Sequence, residues 1–162
     1  MLRRKEELLQ VLETIGIPYA NHDHPAVYTV EEAARYKDGI EGAHCKNLLL
    51  RDRKKNLILV VTLAEKSIRI KEVGNRINTK GLSFASPGRL TEVLGVIPGA
   101  VTPLAVINAG GKGLRVILDE ELMENNQVNF HPLVNTATTT LASGDLIRFL
   151  VYCGQDYEIV RL

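Results

Sequence analysis

The sequence predicts one α+β (mixed α/β) domain, and three observations predict it. Apolar runs of strand length pair across short polar turns. Segments with helical spacing and recognisable caps flank and separate those runs. No linker, repeat or low-complexity stretch divides residues 1–162, and 162 residues are enough to enclose one core without disulfide or metal staples. Strands in hairpins with peripheral helices argue against a regular βαβ array.

Taken in order, Leu8, Leu9, Val11, Leu12 and Ile15 recur at helical spacing, and Gly16 stops the first helix, predicted over about 2–15. Residues 17–22 are extended, because the residue before Pro18 is pushed out of the helical region. Thr29 caps a second helix over about 30–36, with Glu32 three residues on as its capping-box partner. Residues 46–52 and 57–62 read as a hairpin across Arg53–Asn56. A helix follows over 67–77, then a short strand over 82–85, then a helix capped by Ser86 and ended by Gly95. Residues 98–103 hold too many turn formers for regular structure. Residues 104–108 and 114–119 read as a second hairpin joined by Ala109–Gly113. A short helix over 120–125, strands over 128–131 and 138–140, and a closing helix from 143 to 150, begun by Ser143 or Asp145, complete the chain.

Composition narrows the function. Twenty Lys and Arg stand against nineteen Asp and Glu, which excludes the strongly basic profile of a protein that grips long duplexes and leaves room only for a local basic patch. Cys45 and Cys153 lack CxxC spacing, so neither a disulfide framework nor a zinc knuckle is indicated and a reducing cytosol fits. The start of the chain lacks an apolar signal core, and no run of apolar residues is long enough for a membrane span. The expectation is a soluble cytoplasmic monomer.

Several residue groups are candidates for chemistry. His22 and His24 share one side of an extended segment, and His44 and His131 are the further histidines of a hypothetical metal set, although no ligand spacing supports one. Cys45 beside His44 suggests a thiolate, but neighbours on a strand face opposite ways and a small buried thiol explains it as well. Gly110–Gly113 resembles a phosphate cradle without the required spacing and reads as a turn. Lys46 enters a strand whose next residues are apolar, so it is either a solvated strand-entry lysine or a partly desolvated ammonium that needs an anion or carbonyl to face. The loop Pro98–Pro103 offers backbone amides to such a group, or is an ordinary turn. His131–Thr140 gathers a histidine, Asn135 and four threonines, which suits either a polar pocket or a Thr-rich strand.

In this order, His24-Pro25, Thr29–Ala33, Lys46-Asn47-Leu48, Leu82–Ser86, Leu94–Val96 with Pro98–Pro103, Ile107-Asn108 and His131–Thr139 resemble the YbaK/prolyl-tRNA synthetase-associated editing domain family, over about residues 15–155. Within it they most resemble the freestanding branch that deacylates Ala-tRNA(Pro). The resemblance implies a mixed, strongly curved central sheet with peripheral helices. It also implies hydrolysis of the ester of mischarged Ala-tRNA(Pro) in trans, with no metal and no cofactor, and partners in the tRNA(Pro) acceptor end and prolyl-tRNA synthetase. Carried over by position, Lys46 matches the functional lysine and Asn47 its polar neighbour. Gly99 and Pro103 match the Gly-x-x-x-Pro loop that includes Thr102, and His131 matches a histidine near the terminal adenosine. Val27, Val30 and Leu48 are expected walls of an alanine-sized pocket, and the second helix is an expected lid. Arg3, Arg4, Lys5, Arg35, Lys37, Lys66, Arg69, Lys71 and Arg76 are candidates for phosphate contact, or a solvated helical face. A non-catalytic module binding aminoacyl-tRNA or a synthetase, a deacylase for cysteine or serine, and a thiol- or metal-dependent hydrolase are the alternatives.

Overall fold

The computed structural model describes residues 2–36, 39–110 and 113–162, with Val30 described by its backbone alone. Alternation explains the centre of the sheet. Strand β3 (Leu57–Leu63) sends Leu57, Leu59 and Val61 into one apolar cluster, and Ile58 and Val60 into another on the opposite face. It is therefore covered on both sides, which is why its sequence is an unbroken apolar run. The larger cluster gathers Leu8 and Leu12 of α1 (Lys5–Thr14), Leu90 and Leu94 of α4 (Pro87–Leu94), and Leu146, Phe149 and Leu150 of α7 (Ser143–Tyr152). The smaller is closed by Val73 of α3 (Ile70–Arg76) and by Ile77.

Eight strands form one mixed array. The remaining ones are β1 (Tyr19–Asp23), β2 (Ala43–Arg51), β4 (Ser83–Phe84), β5 (Leu114–Asp119), β6 (Gln127–Phe130), β7 (Ala137–Ala142) and β8 (Tyr157–Val160), in the order β1-β7-β6-β2-β3-β5-β8, with β4 beside β2. The hairpin of β2 and β3 is present, with Lys46 opposite Thr62. The second hairpin is not. Residues 103–105 form a 3-10 turn and Val106–Ala109 a short helix, α5, while β5 runs parallel to β3. Thr102 and Pro103 explain the error. The Thr102 hydroxyl accepts from the Leu104 amide at 3.2 Å and Pro103 takes the first helical position, so a fully buried apolar run becomes a helical turn rather than a strand. Of the Gly110–Gly113 turn, Gly111 and Lys112 lie outside the described residues, and what it joins is helix and strand.

Smaller departures have local causes. The Thr29 hydroxyl caps α2 (Val30–Ala34) by accepting from the Glu32 amide, but the Glu32 carboxylate accepts from Tyr28 rather than from Thr29. Neither Ser143 nor Asp145 caps α7, which begins at Ser143 with Ala142 before it. Strand β8 pairs in parallel with β5 and was not expected from the sequence, because four residues, Tyr157–Val160, are too short a pattern to stand out. Helix α6 (Glu120–Met123) follows β5 directly.

The pairing of β2 positions the site. One edge is bonded to β3 over Cys45–Arg51. The other meets β6 at Ala43 and His44 and meets β4 only at Leu50 and Arg51, where the Ala85 amide donates to Leu49. Among the described residues no strand pairs with this edge between these two contacts. Ladder alternation turns the Asn47 main chain toward the opening, while the Lys46 and Asn47 side chains leave on opposite faces.

Candidate active site

A cavity of about 280 Å³ lies at this open edge. From β2 it receives His44, Cys45, Lys46, Asn47 and Leu48; from the turn after α4, Gly99 and Val101; from the segment around α2, Val27, Tyr28, Thr29, Ala33 and Tyr36; and from β6 and β7, Asn129, His131 and Thr138. It thus brings together Lys46, Asn47, Gly99, His131 and Val27 of the expected residues. Thr102 and Pro103 do not line it. Both are buried behind it, where they start the turn that sets the loop's exit. Val30 opens α2, and its side chain lies outside the described atoms, as does Lys37 altogether.

Four features give the cavity its chemistry. Among the described residues the Lys46 ammonium meets no carboxylate and no hydrogen-bond acceptor. Beside it in sequence, Asn47 holds its side-chain oxygen buried and unpartnered. A buried acceptor without a donor costs free energy, on the order of 1–3 kcal/mol. Third, Ile97–Ala100 is a turn closed by the Ala100 amide on the Ile97 carbonyl at 3.0 Å, with Pro98 and then Gly99 at φ +91°. A Cβ on Gly99 would stand 3.2 Å from the Tyr28 Cα and 3.3 Å from the Val27 carbonyl oxygen, so only glycine lets this loop lie against the Val27–Tyr28 backbone. Among the described residues no acceptor meets the amides of Gly99 and Val101.

The fourth feature is a histidine pair of defined tautomers. His131 Nδ1 is 2.8 Å from the Ala137 carbonyl, which can only accept, so Nδ1 carries the proton and Nε2 is left with a lone pair. Burial lowers the His131 pKa, the Ala137 carbonyl opposes that, and the neighbouring His24 adds to it, so the ring is neutral near pH 7. His24 Nδ1 donates to the Pro25 carbonyl at 2.9 Å, and its Nε2 is hydrogen-bonded to the Thr138 hydroxyl at 2.9 Å. Its ring stacks on Tyr36, with centroids 5.3 Å apart, and meets His131 edge-on at 6.1 Å. The two segments are also tied through the main chain. His24 donates to Thr136, Val27 donates to Asn135, and the Asn135 amide donates to Val27 at 2.8 Å. Among the described residues no group of three or more His, Cys, Asp or Glu is arranged to hold a metal ion.

Asn129 and Tyr36 are site residues that sequence reasoning missed. Asn129 accepts from the Thr140 hydroxyl and donates to the Glu41 and Ala43 carbonyls, fixing the cavity floor where β6 meets β2. Its signal was a lone asparagine between Val128 and Phe130, which becomes informative only once the neighbouring strand is known.

Among the described residues the cavity at this sheet edge thus brings together a lysine that meets no acceptor, an asparagine with a buried side-chain oxygen and the Gly99 loop. The model of the aminoacyl-tRNA editing domain family matches residues 24–149, and the chain belongs to that family. It is 32% identical over 159 residues to "Prolyl-tRNA editing protein ProX" of Acetoanaerobium sticklandii, covering 98% of this chain and 97% of the relative. It is 34% identical over 162 residues to "Prolyl-tRNA synthetase associated domain-containing protein 1" of Xenopus laevis, covering 97% and 96%. The fold is also that of a hypothetical protein known from its crystal structure, with TM-score 0.74, 19% identity, and coverage of 97% of this chain and 99% of that one. Among the described residues no helix is long and apolar enough to cross a membrane.

Proposed function

We propose that this chain is a trans-editing deacylase that hydrolyses the ester of mischarged Ala-tRNA(Pro), with the tRNA(Pro) acceptor end as ligand and prolyl-tRNA synthetase as the source of the error. The single observation that carries the reading is the convergence of Lys46, Asn47, the Gly99 loop and His131 on one cavity. An aminoacyl ester is already activated. A site needs to hold it, stabilise the oxyanion and admit water, and it needs no nucleophilic side chain.

Water adds to the ester carbonyl carbon and the acyl–oxygen bond breaks. Alanine leaves as its carboxylate, the released proton passing to solvent, and the terminal ribose recovers its hydroxyl. The amides of Gly99 and Val101 are available to the developing oxyanion, and the vicinal ribose hydroxyl assists the water, as the family resemblance implies. Lys46 faces the terminal ribose or phosphate as a compact cation. Asn47 lines the cavity through the main chain it turns toward the opening, and His131 Nε2 suits a hydroxyl or N–H of the terminal nucleoside. Val27 and Leu48 stand among the walls that leave room for a small side chain. Exclusion by size discriminates proline well but neighbours differing by one methylene only by about 1–3 kcal/mol, so slow loss of serine or glycine is expected.

The test is release of labelled amino acid from Ala-tRNA(Pro), Cys-tRNA(Pro) and Pro-tRNA(Pro), with Lys46→Ala beside the wild type. Alanine is expected to be released alone, at least about a hundredfold more slowly in the variant, matching the loss of one electrostatic contact to the transition state. Survival of all three esters overturns the reading in favour of a binding module.

A further inference from the structure

A second concavity, of about 330 Å³, lies against the segment that follows His131. It is lined by Arg3, Arg4, Lys5 and Glu6 on one side, and by Leu133, Val134 and Thr136 with Gly95 on the other. Arg3 and Arg4 are exposed and, among the described residues, their guanidinium groups meet no carboxylate, while the Arg4 amide donates to Glu7 at 3.4 Å and Lys5 reaches Asp23 at 3.6 Å.

These cations are not on a loose tail. The Asn108 side-chain oxygen accepts from the Arg3 amide at 2.7 Å, and its nitrogen donates to the Arg3 carbonyl at 3.4 Å and to the Leu94 carbonyl at 3.1 Å. Leu2 packs against Gly95, whose φ of +67° favours glycine and where a Cβ would come within 3.1 Å of the Leu2 side chain. Among the described residues neither guanidinium has a carboxylate partner, so the notch carries more positive charge than its one carboxylate, Glu6, balances. An anion in the notch would offset this positive charge.

We infer that Arg3, Arg4 and Lys5 form a phosphate-binding notch that receives the RNA backbone a few nucleotides upstream of the ester-bearing terminal nucleotide; the inference rests on the aminoacyl-RNA reading above. Spacing supports it. His131 lines the first cavity and Val134 the second, and three residues of chain reach at most about 11 Å, some three nucleotides of stacked single strand. A strand whose last nucleoside lies against His131 would run past the same loop on its way out. Contacts of this kind position the strand and read no sequence.

The experiment measures the affinity of the full chain for an uncharged hairpin RNA with a single-stranded 3′ end, across salt from about 0.05 to 0.3 M, a range in which phosphate contacts dominate the salt dependence. The pair Arg3→Ala/Arg4→Ala is expected to weaken binding about tenfold at low salt. It is also expected to reduce the slope of log K against log[salt] by about 1.4, the value for two contacts to a single strand. The control Lys54→Ala/Lys55→Ala removes the same charge from the β2–β3 turn and is expected to leave that slope as it is. Arg4→Glu, with its melting temperature, guards against a folding defect in the double variant. An unchanged slope in Arg3→Ala/Arg4→Ala, or an equal change in the control, overturns the notch. RNA bound with the expected slope but never deacylated leaves the notch standing and sinks the deacylase. Deacylation with an unchanged slope does the reverse.

Discussion

Gly99 carries more of the site than any ionisable group. Its φ of +91° and its approach to the Val27–Tyr28 backbone both strain a residue with a Cβ. Gly99→Ala is expected to cost about 1–3 kcal/mol of stability, the usual cost of a residue held in a disfavoured region. Because the same shift displaces the free amides, deacylation should fall by at least about tenfold, equivalent to about 1.4 kcal/mol of the barrier. Urea unfolding and single-turnover hydrolysis on one preparation separate the two effects. Wild-type turnover in the variant would remove the loop from the mechanism. This residue was legible from the sequence as part of a turn, since Pro98-Gly99 specifies a type II turn. What it touches was not legible, because Val27 is far away along the chain. Lys46 shows the same division. Its place at a strand mouth could be read, and the cavity it lines could not.

Strands β3 and β5 are joined by an ion-pair network that the sequence did not announce. Asp119 is fully buried. Its carboxylate accepts from the Thr62 hydroxyl at 2.6 Å and the Lys66 ammonium at 2.9 Å on one oxygen, and from the Glu121 amide at 3.2 Å and the Leu162 amide at 3.4 Å on the other. It therefore ties the hairpin, α6 and the end of β8 at one point, and takes Lys66 out of any phosphate contact. Asp119→Ala leaves these donors unsatisfied and should cost about 3 kcal/mol, the low end for a broken buried pair, because Lys66 can turn to solvent. Thr62→Val should cost about 1 kcal/mol, and Arg148→Ala, from an exposed pair with Asp145, less than about 1 kcal/mol. Urea midpoints rank the three, and equal values for Asp119→Ala and Arg148→Ala would contradict the network. At this scale the hairpin of β2 and β3 and the capped helices were readable because their partners are local. The β3–β5 pairing and β8 were not, since a parallel pair carries no turn signal and its partners are fixed by the whole fold.

Across the molecule these groups set an acid limit. Burial pushes the Asp119 carboxyl up, but the bonds from Thr62 and Lys66 outweigh it, so its pKa lies below the ordinary 3.8. His131, chiefly through burial, lies below the ordinary 6.5. Both folded values are depressed, so each group contributes stability that is complete above its unfolded value and is lost as pH falls toward its folded one. Unfolding free energy is therefore expected to decline in two stages, first below about pH 6.5 through His131 and then below about 3.8 through Asp119. His131→Gln should flatten the first stage alone. A variant that keeps the first stage would assign it to another group.

The divided pairing of β2 has a consequence for how such a chain can change over time. Its loops can lengthen and its surface charges drift, but the phase of one strand cannot. Because side chains alternate, deleting or inserting a single residue between His44 and Leu50 would exchange the faces of Lys46 and Asn47. The ladder to β3 could re-form one step along, with the site turned inside out. Variation among descendants of this chain should therefore avoid length changes in these few residues while tolerating them at Arg53–Asn56, where a longer turn leaves every ladder bond in place.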